Sequence, residues 1–373
     1  MVRVLNLITS LDRGGAETMI MNYYRHLDRD KVQFDFLVNR DQTGAYEEEI
    51  KDLGGRIYRM GPMYPTKFHK YKKDFRTFLR NHHGYTIIHS HLEERSYFPL
   101  RIAKEEGVPI RIAHAHNEYR GFDAKTIFRD YFRFRLPLYP THKFACSLDA
   151  GRWLFGEREI KQGKVIIIPN AIDSSQYSYS VDKRREMRTQ LGFGEDALVI
   201  GNVGRLVPQK NQAFLIDAFK ETIRVRPNSY LLIVGEGIEK GTLLDKAASF
   251  GLQDRLLLVG SVSNVQDYLQ AMDVFVFPSL FEGLGMSLIE AQSMGLPSIA
   301  SDRVPKDSDI TGSVKFLSLE ESPSTWAKEI IRLSGSNRHS DSAVLLKSHG
   351  YDINTEANKL QDFYLSNSQK CAI

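Results

Sequence analysis

The sequence has little cysteine, and no apolar run in it is long. Of its 373 residues only Cys146 and Cys371 are cysteines, so a disulfide framework does not hold the fold and a reducing cytoplasm is the expected location. No apolar run approaches the roughly 18 residues that a membrane-spanning helix requires. The amino-terminal residues 1–15 lack the small-residue cleavage site of a secretion signal, and we interpret them as a first β-strand.

The chain also has almost no excess of charge of either sign. Its 50 Lys and Arg residues against 46 Asp and Glu residues leave a net charge of +4, which excludes nucleic acid as the default partner. Apolar residues make up 42% of the chain and charged residues 26%, the composition of a globular protein. The length is sufficient for two domains of ordinary size.

Short apolar runs alternate with longer segments of helical period along the chain. This alternation predicts an α/β architecture in which helices cover both faces of a parallel sheet. In the first half the predicted strands are Val2–Ile8, Gln33–Val38, Arg56–Met60, Thr86–Ser90, Ile110–His114, Lys143–Cys146 and Val165–Ile168. In the second half they lie in LVIGNVGRL, NSYLLIVGEG, DRLLLVGSV, DVFVFPS and LPSIAS.

The polar stretch AIDSSQYSYS separates the two alternations and reads as an interdomain connection. We therefore predict a Rossmann-like domain over residues 1–172 and a second over 173–350. Residues 351–373 are expected to form a helix that packs back towards the first domain. Two doubly wound domains that face one another enclose a cleft, and ligands of such sheets bind beyond the carboxyl ends of the strands.

The segment SLFEGLGMSLIEAQSMGLPSIAS places glycines before a helix predicted from Met286 to Met294. The free amides at the start of this helix suit a phosphate, since the glycines leave the backbone open. Glu290 lies about one turn into the helix, where its carboxylate can accept two hydrogen bonds from a vicinal diol such as a ribose. A solvated surface glutamate is the alternative interpretation.

Two cations follow a predicted strand in GNVGRLVPQKN. Arg205 and Lys210 at the carboxyl end of this strand can neutralise a diphosphate without a metal ion. The alternative is that both are ordinary surface charges. Gly14 and Gly15 form a third candidate phosphate contact after the first strand, although any turn from a strand to a helix can use glycine.

Two His-x-His pairs, His89 with His91 and His114 with His116, stand at predicted strand ends. Residues two apart on a strand share a face, so four imidazoles at sheet ends are also the pattern of a zinc or two-metal hydrolase. No cluster of carboxylates accompanies them. We therefore do not expect a metal centre.

These motifs together resemble family-4 retaining glycosyltransferases of the GT-B fold. The resemblance rests on the Gly-Gly turn, PNAID, GRLVPQKN, VGEG, VFPSLFEG and the seven residues that separate Glu282 from Glu290, and it covers nearly the whole chain. It is greatest for bacterial capsular and exopolysaccharide enzymes, which share IHSH, IAHAHN and the stretch from ASD to DITGSVKFLSL. The resemblance implies transfer of a sugar from a nucleotide diphosphate donor, UDP-linked, with retention and without a metal or other cofactor.

The resemblance also implies a role for each matching residue. Glu290 would bind the ribose, Glu282 would contact hydroxyls of the transferred sugar, and Arg205 with Lys210 would neutralise the diphosphate. Backbone groups would complete the donor site: the phosphate cradle from Gly14, Gly15, Gly283, Leu284, Gly285, Met286 and Ser287, and a contact to the base from Val262.

A functional histidine of the family lies near the transferred sugar. His116, followed by Asn117, fits this position and His114 is the alternative, whereas His89 and His91 are expected to be structural. Asp28 and Asp30 form the Asp-x-Asp signature of the other large glycosyltransferase fold, but they lie between a helix and a strand, which indicates a surface turn. Two further functions stay open: a GT-B nucleotide-sugar epimerase and a non-catalytic scaffold of polysaccharide assembly.

Two segments combine basic and aromatic residues. Residues 67–80 are predicted to form a basic amphipathic helix, and residues 120–140 have a similar composition. In the resembled family this half of the molecule receives the acceptor. We therefore predict peripheral binding to the inner face of the cell membrane, beside a polyprenyl-linked saccharide acceptor. The alternative is that the aromatic side chains pack on the domain core.

Overall fold

The computed structural model describes residues 1–64, 67–116, 126–339 and 341–370, without the side chains of residues 127, 128 and 343. Asn117 and Cys371 lie outside this range. The chain divides into two compact units, one of residues 1–172 with 350–373 and the other of residues 173–349. Each unit contains a parallel sheet flanked by helices, which confirms the predicted α/β class.

The described residues of the first unit contain a sheet of seven strands. They are β1 (Val2–Ile8), β2 (Val32–Val38), β3 (Ile57–Arg59), β4 (Ile87–Ser90), β5 (Ile110–Ala115), β6 (His142–Ala145) and β7 (Val165–Ile167). Each predicted strand is present, and its ends agree within one residue. The order across the parallel sheet is β3-β2-β1-β4-β5-β6-β7, so the direction of winding reverses between β1 and β4.

Helices cover both faces of this sheet, and successive strand residues enter different apolar clusters. Leu5 and Leu7 belong to one cluster, and Val4 and Ile8 belong to the other. Both faces are therefore buried, as is usual for a parallel sheet. The helices of this part of the chain are α1 (Gly15–His26), α2 (Glu47–Asp52), α3 (Phe68–Asn81), α4 (Tyr97–Glu105), α5 (Thr126–Arg135), α6 (Leu148–Phe155) and α7 (Glu157–Lys161).

The second unit repeats this architecture, with six strands in the part that the structure describes. They are β8 (Leu198–Val203), β9 (Ser229–Val234), β10 (Leu256–Gly260), β11 (Val274–Phe277), β12 (Ser298–Ser301) and β13 (Lys315–Leu317), in the order β10-β9-β8-β11-β12-β13. Its helices are α8 (Val181–Gln190), α9 (Gln212–Val225), α10 (Lys240–Ser249), α11 (Val265–Ala271), α12 (Met286–Ser293), α13 (Pro323–Ser334) and α14 (Ser342–Ser348). Strand β13, at the edge of this sheet, was not predicted.

The last helix, α15 (Ile353–Lys370), belongs to the first unit. Its apolar residues, spaced at helical period, share a cluster with Met19 and Tyr23 of α1. These residues are Ile353, Ala357, Leu360 and Tyr364. The predicted carboxy-terminal helix is thus present. None of the helices in the described ranges is long and apolar enough to cross a membrane.

Candidate functional site

Two loops of the second unit lie side by side where its strand order reverses, between β8 and β11. The amide of Leu280 donates a hydrogen bond to the carbonyl of Gln209 at 2.8 Å, and Gln209 Nε2 donates to the carbonyl of Phe281 at 2.9 Å. Crevices at such reversals are the usual ligand sites of doubly wound sheets. The two hydrogen bonds bring the predicted residues of both loops together.

Lys210 and Glu282 form an ion pair in this place. Lys210 Nζ lies 2.6 Å from Glu282 Oε1, and the two side chains are only 15% and 7% exposed. The ammonium also lies 4.9 Å from the centre of the Phe277 ring. Because each charge is largely removed from water, each depends on the other for compensation. The structure therefore joins two residues for which the resemblance implies separate contacts to the donor.

Arg205 differs from Lys210 in being exposed. Within the described ranges no side chain pairs with its guanidinium, whereas its carbonyl accepts a hydrogen bond from the buried Gln212 Nε2 at 3.0 Å. The loop is held from the other side by Gly235 of the VGEG segment, whose φ is +149°. A Cβ at Gly235 would overlap the carbonyl oxygen of Gly204. A rigid backbone thus presents a cation to solvent.

Helix α12 begins beside these loops. Gly285 is its N-cap with φ of +79°, a left-handed conformation that favours glycine, and no side chain in the described ranges caps the helix. The first amides of a helix have no partner within it, so this end suits an anion. Around the cap, Gly283, Met286 and Ser287 are half-buried and Leu284 is buried.

Glu290 follows in the second turn of α12 and is half-buried. Burial raises the pKa of its carboxyl group to about 7, and a hydrogen bond with the side chain of Tyr177 opposes this shift. Tyr177 lies in the polar stretch that we interpreted only as a connection. Sequence reasoning therefore missed it, and its aromatic ring among polar residues was the one available signal.

The remaining backbone candidates have different surroundings. Val262 lies in the loop after β10, where its side chain packs against an apolar cluster of the second unit. Gly14 and Gly15 belong to the first unit, where Gly14 is the N-cap of α1. The Glu17 carboxylate lies against Gly14, in the space that a Cβ would fill, while no described atom lies within 4 Å of a Cβ placed at Gly15.

The four histidines are buried and form two hydrogen-bonded pairs. His89 Nε2 lies 3.1 Å from His114 Nδ1, and His91 Nδ1 lies 2.8 Å from His116 Nε2. Burial lowers the pKa of every one of these imidazoles, to about 3 for His116. All four are therefore neutral near pH 7. We call this group the histidine cluster.

The geometry does not favour a metal ion in the histidine cluster. Ligand atoms of His89, His91 and His114 lie within 4.8 Å of one another. However, five of their six ring nitrogens are used in hydrogen bonds within the cluster and to neighbouring side chains, and in the described ranges only His114 Nε2 is without a partner. In the described ranges no carboxylate bonds to these nitrogens to balance a cation buried here.

At Asp28 and Asp30 the predicted surface turn is present: the amide of Asp30 donates a hydrogen bond to Asp28 Oδ1 at 3.2 Å.

The backbone of His116 is held on both sides. Its amide donates to Glu93 Oε1 at 2.9 Å, and Cys146 Sγ donates to its carbonyl at 3.3 Å. Glu93 has φ of +51°, which is unusual for a residue other than glycine and marks a functional or tightly constrained position. Sequence reasoning did not identify Glu93, because nothing in its local pattern distinguishes it.

Comparisons with known proteins agree with this geometry. Residues 13–176 match the family model Glycosyltransferase Family 4, and residues 183–343 match the model Glycosyl transferases group 1. A relative named as a glycosyltransferase, EpsF of Bacillus subtilis (strain 168), is 33% identical over 374 residues, which cover 99% of this chain and 97% of the relative. The chain belongs to the family-4 glycosyltransferases.

Two further known proteins are similar to this glycosyltransferase, one in sequence and one in structure. The UDP-Gal:alpha-D-GlcNAc-diphosphoundecaprenol alpha-1,3-galactosyltransferase of Escherichia coli is 30% identical over 226 residues, 58% of either chain. The crystal structure of Anabaena Alr3699/HepE in complex with UDP and glucose superposes with a TM-score of 0.73 at 19% identity, covering 100% of this chain and 98% of that one. The shared architecture is the predicted GT-B fold. The enzyme class and fold are thus confirmed, and the roles of individual site residues stay predictions.

Proposed function

We propose that this enzyme transfers a sugar from a UDP-linked donor to a polyprenyl-diphosphate-linked saccharide, with retention, in the assembly of a capsular polysaccharide or exopolysaccharide. One observation carries the proposal: the exposed Arg205 and the Lys210–Glu282 pair lie on adjoining loops, and the glycine-capped start of α12 follows directly. The UDP-bound structure and the undecaprenol-dependent relative described above support the donor and acceptor classes.

The charges of this site suit departure of a nucleoside diphosphate. Negative charge develops on the diphosphate as the bond to the sugar breaks, and preorganised cations and helix amides stabilise it. Arg205 is available to approach a phosphate without the loss of an ion pair, whereas Lys210 is already held by Glu282. Because both cations are protein side chains, we propose that catalysis needs neither a divalent metal nor another cofactor.

Binding of UDP in the presence of a chelator tests the donor site. We expect UDP to raise the melting temperature equally with EDTA and with added magnesium or manganese, and to do so more than ADP or GDP. Strict dependence on a divalent ion would contradict the proposed metal-free site. A screen of UDP-sugars by the same thermal shift then selects the donor for kinetic work.

Product analysis separates glycosyl transfer from the alternatives. A transferase converts the selected donor to UDP and a glycosylated product when a polyprenyl-diphosphate-linked saccharide is present. An epimerase would change the donor sugar without an acceptor, and a scaffold would bind the donor without turnover. The anomeric configuration of the product, determined by NMR, tests retention.

The two segments predicted to bind the membrane, on α3 and on α5, differ in the exposure of their apolar side chains. On α3 the apolar side chains are used inside the unit, and two arginines are paired with glutamates of α4 and its end. The buried side chains are Tyr71, Phe75 and Leu79, and the pairs join Arg76 to Glu105 and Arg80 to Glu106. The alternative interpretation, packing on the domain core, therefore holds for these α3 aromatics.

Beyond α3, large apolar side chains are exposed on α5 and the turn that follows it. Phe134 is 87% and Leu138 is 68% exposed, and the Arg135 guanidinium lies 4.8 Å from the centre of the Tyr131 ring. We propose that this surface docks on an anionic bilayer at the inner face of the cell membrane, because each basic residue adds about 1 kcal/mol near such a surface. Phe128 of the same segment lies outside the described side chains.

Sedimentation with phosphatidylglycerol vesicles tests this surface. Binding is expected at low salt, is weakened by high salt, and falls when Phe134 and Leu138 are both changed to Ser. Ile238→Ser is the matched control, since Ile238 is 86% exposed but lies in the other unit. Absence of binding at low salt would refute membrane docking and leave the transferase assignment intact.

A further inference from the structure

Asn6 is a buried polar residue within β1, the strand at which the first sheet reverses its winding. It is 1% exposed, and the residues on either side of it along the strand, Leu5 and Leu7, are buried and apolar. Its Nδ2 lies 3.4 Å from the carbonyl oxygens of both Val4 and Asp35, and its Oδ1 lies 3.2 Å from His91 Nε2. The two carbonyls require a donor opposite them, so the amide nitrogen faces them and the amide oxygen faces His91.

This orientation determines where the protons lie on the two imidazoles beyond it. The amide oxygen of Asn6 can only accept, so His91 Nε2 carries a hydrogen and donates it. In a neutral imidazole the other nitrogen is an acceptor, so His91 Nδ1 must receive a hydrogen bond from His116 Nε2, 2.8 Å away. His116 is then the Nε2–H tautomer, and its Nδ1 carries a lone pair.

The lone pair on His116 Nδ1 accepts no hydrogen bond within the described ranges. His116 Nδ1 is buried, and no group in the described ranges bonds to it. The backbone on either side of the ring is fixed by Glu93 and Cys146. The His116 imidazole is therefore held in place with an unused acceptor, Nδ1, while His114 Nε2 is the other ring nitrogen of the cluster without a partner in the described ranges.

We propose that Asn6 and His91 are positioning residues that hold His116 in the Nε2–H tautomer, so that Nδ1 accepts a hydrogen bond from a hydroxyl of the transferred sugar. The sugar contact rests on the proposed function, whereas the tautomer follows from the geometry alone. Asn6 and His91 act through His116 and need not touch the substrate.

The other imidazole pair provides a built-in comparison. His89 Nδ1 lies 2.7 Å from the hydroxyl of Tyr364, and His89 Nε2 bonds to His114. A phenol can donate or accept, so this pair permits either tautomer, whereas the amide oxygen of Asn6 permits only one. The Asn6 side of the cluster alone imposes a direction on its hydrogen bonds.

NMR of the full chain labelled with ¹⁵N-histidine measures the tautomer directly. We expect His116, assigned by comparison with His116→Gln, to show a pyridine-type Nδ1 and a pyrrole-type Nε2 in the absence of substrate. A pyrrole-type Nδ1 would overturn the proposal. This readout needs no activity, so it decides the tautomer even if the proposed sugar transfer proves wrong.

Two nearly isosteric variants test the positioning role. Asn6→Leu removes the acceptor that orients His91, and Tyr364→Phe removes the outer partner of the other pair. We expect Asn6→Leu to give a mixture of His116 tautomers and to lower kcat/KM for UDP release from the selected UDP-sugar by roughly five- to tenfold, the effect of one hydrogen bond, with little change in UDP affinity. Tyr364→Phe should change neither the His116 tautomer nor kcat/KM.

His91→Leu is the second variant, in case Asn6→Leu folds poorly by circular dichroism. It should lower the same kcat/KM and leave UDP affinity unchanged. Equal kcat/KM for the wild type and both variants would overturn the positioning role, and so would equal losses in Tyr364→Phe and Asn6→Leu. Absence of UDP release by the wild type would instead overturn the proposed function and leave the tautomer measurement valid.

Discussion

The two units of this glycosyltransferase both place polar groups at strand ends of their sheets, but those groups are charged in one unit and neutral in the other. In the second unit the loops after β8 and β11 carry formal charges, with Lys210 paired to Glu282 and Arg205 exposed. In the first unit the ends of β4 and β5 carry neutral, buried imidazoles that bond to one another. Cations suit a leaving group that gains charge, whereas neutral imidazoles suit a directional bond to a hydroxyl.

Disruption of the Lys210–Glu282 ion pair in the second unit is expected to have the largest effect on stability and activity. Lys210→Met leaves the nearly buried carboxylate of Glu282 without its partner, so we expect it to lower the free energy of unfolding by about 3 to 5 kcal/mol and to abolish sugar transfer. Urea unfolding and UDP release measure the two effects.

The double variant Lys210→Met with Glu282→Gln is the control for this loss. It removes both charges, so stability should largely return while activity should not. If the double variant unfolds as readily as the single one, the stability of this site does not depend on charge compensation.

Arg205 allows the same site to be weakened without a cost in stability. Because its guanidinium is exposed, Arg205→Ala should change the free energy of unfolding by less than about 0.5 kcal/mol. We expect kcat/KM to fall by about 10² to 10³. Arg226→Ala is the matched control, since Arg226 is an exposed arginine at the opposite end of α9. Equal activity of the two variants would exclude Arg205 from the donor site.

The histidine cluster is expected to give a smaller loss that is specific to turnover. His116→Ala should lower kcat by roughly tenfold, since it removes a directional contact to the sugar, and leave UDP affinity by calorimetry nearly unchanged. His114→Ala should cost less activity because His114 lies within β5, one residue before the strand ends. The opposite ranking would assign the role to His114.

Glu290 provides the smallest effect and the one most sensitive to pH. Its carboxyl pKa of about 7 means that only the higher-pH form is a carboxylate ready to accept from a ribose diol. UDP affinity should therefore rise up to about tenfold between pH 6 and pH 8 and then level off, with proton release on binding below pH 7. Calorimetry in buffers of different ionisation enthalpy measures both, and Glu290→Gln should remove the dependence.

The raised pKa of Glu290 also affects stability, in the opposite direction: UDP affinity should rise with pH, whereas the contribution of Glu290 to stability should fall. The ordinary pKa of 4.5 applies to the unfolded chain, so the folded enzyme binds more protons between about pH 4.5 and pH 7. The contribution of Glu290 to the free energy of unfolding is therefore greatest below pH 4.5 and decreases as pH rises to about 7. Glu290→Gln should flatten this part of the stability curve, and an unchanged curve would contradict the raised pKa.

Much of the fold was predictable because parallel strands that are buried on both faces read as continuous apolar runs. The inner strands β1, β2, β4 and β5 agree with their predicted bounds within one residue for this reason, and the partly exposed edge strands β3 and β7 agree equally well. Strand β13 (Lys315–Leu317) was not predicted, whereas β3 and β7, which also have three residues and lie at sheet edges, were predicted.

The site was predictable in its residue types but not in its contacts. Arg205, Lys210 and Glu282 follow strands, and strand ends at a reversal of winding meet in space. Asn6 bonds to His91 across 85 residues, and Tyr364 bonds to His89 across 275, so no local window contains either pair. Asn6 was recognisable in the sequence as a polar amide in an apolar strand, but the sequence did not show that His91 is its partner.

By itself the sequence determined the secondary-structure elements, the family and the identities of the charged residues, because hydrophobic period and motif spacing are local properties of the chain. Only the tertiary structure decided that Lys210 neutralises Glu282, that Asn6 sets the protons of His91 and His116, and that Phe134 is exposed while Phe75 is buried. The physical reason is that burial and hydrogen-bond pairing depend on which distant segments meet. Charge compensation and tautomeric state exist only once those segments have packed.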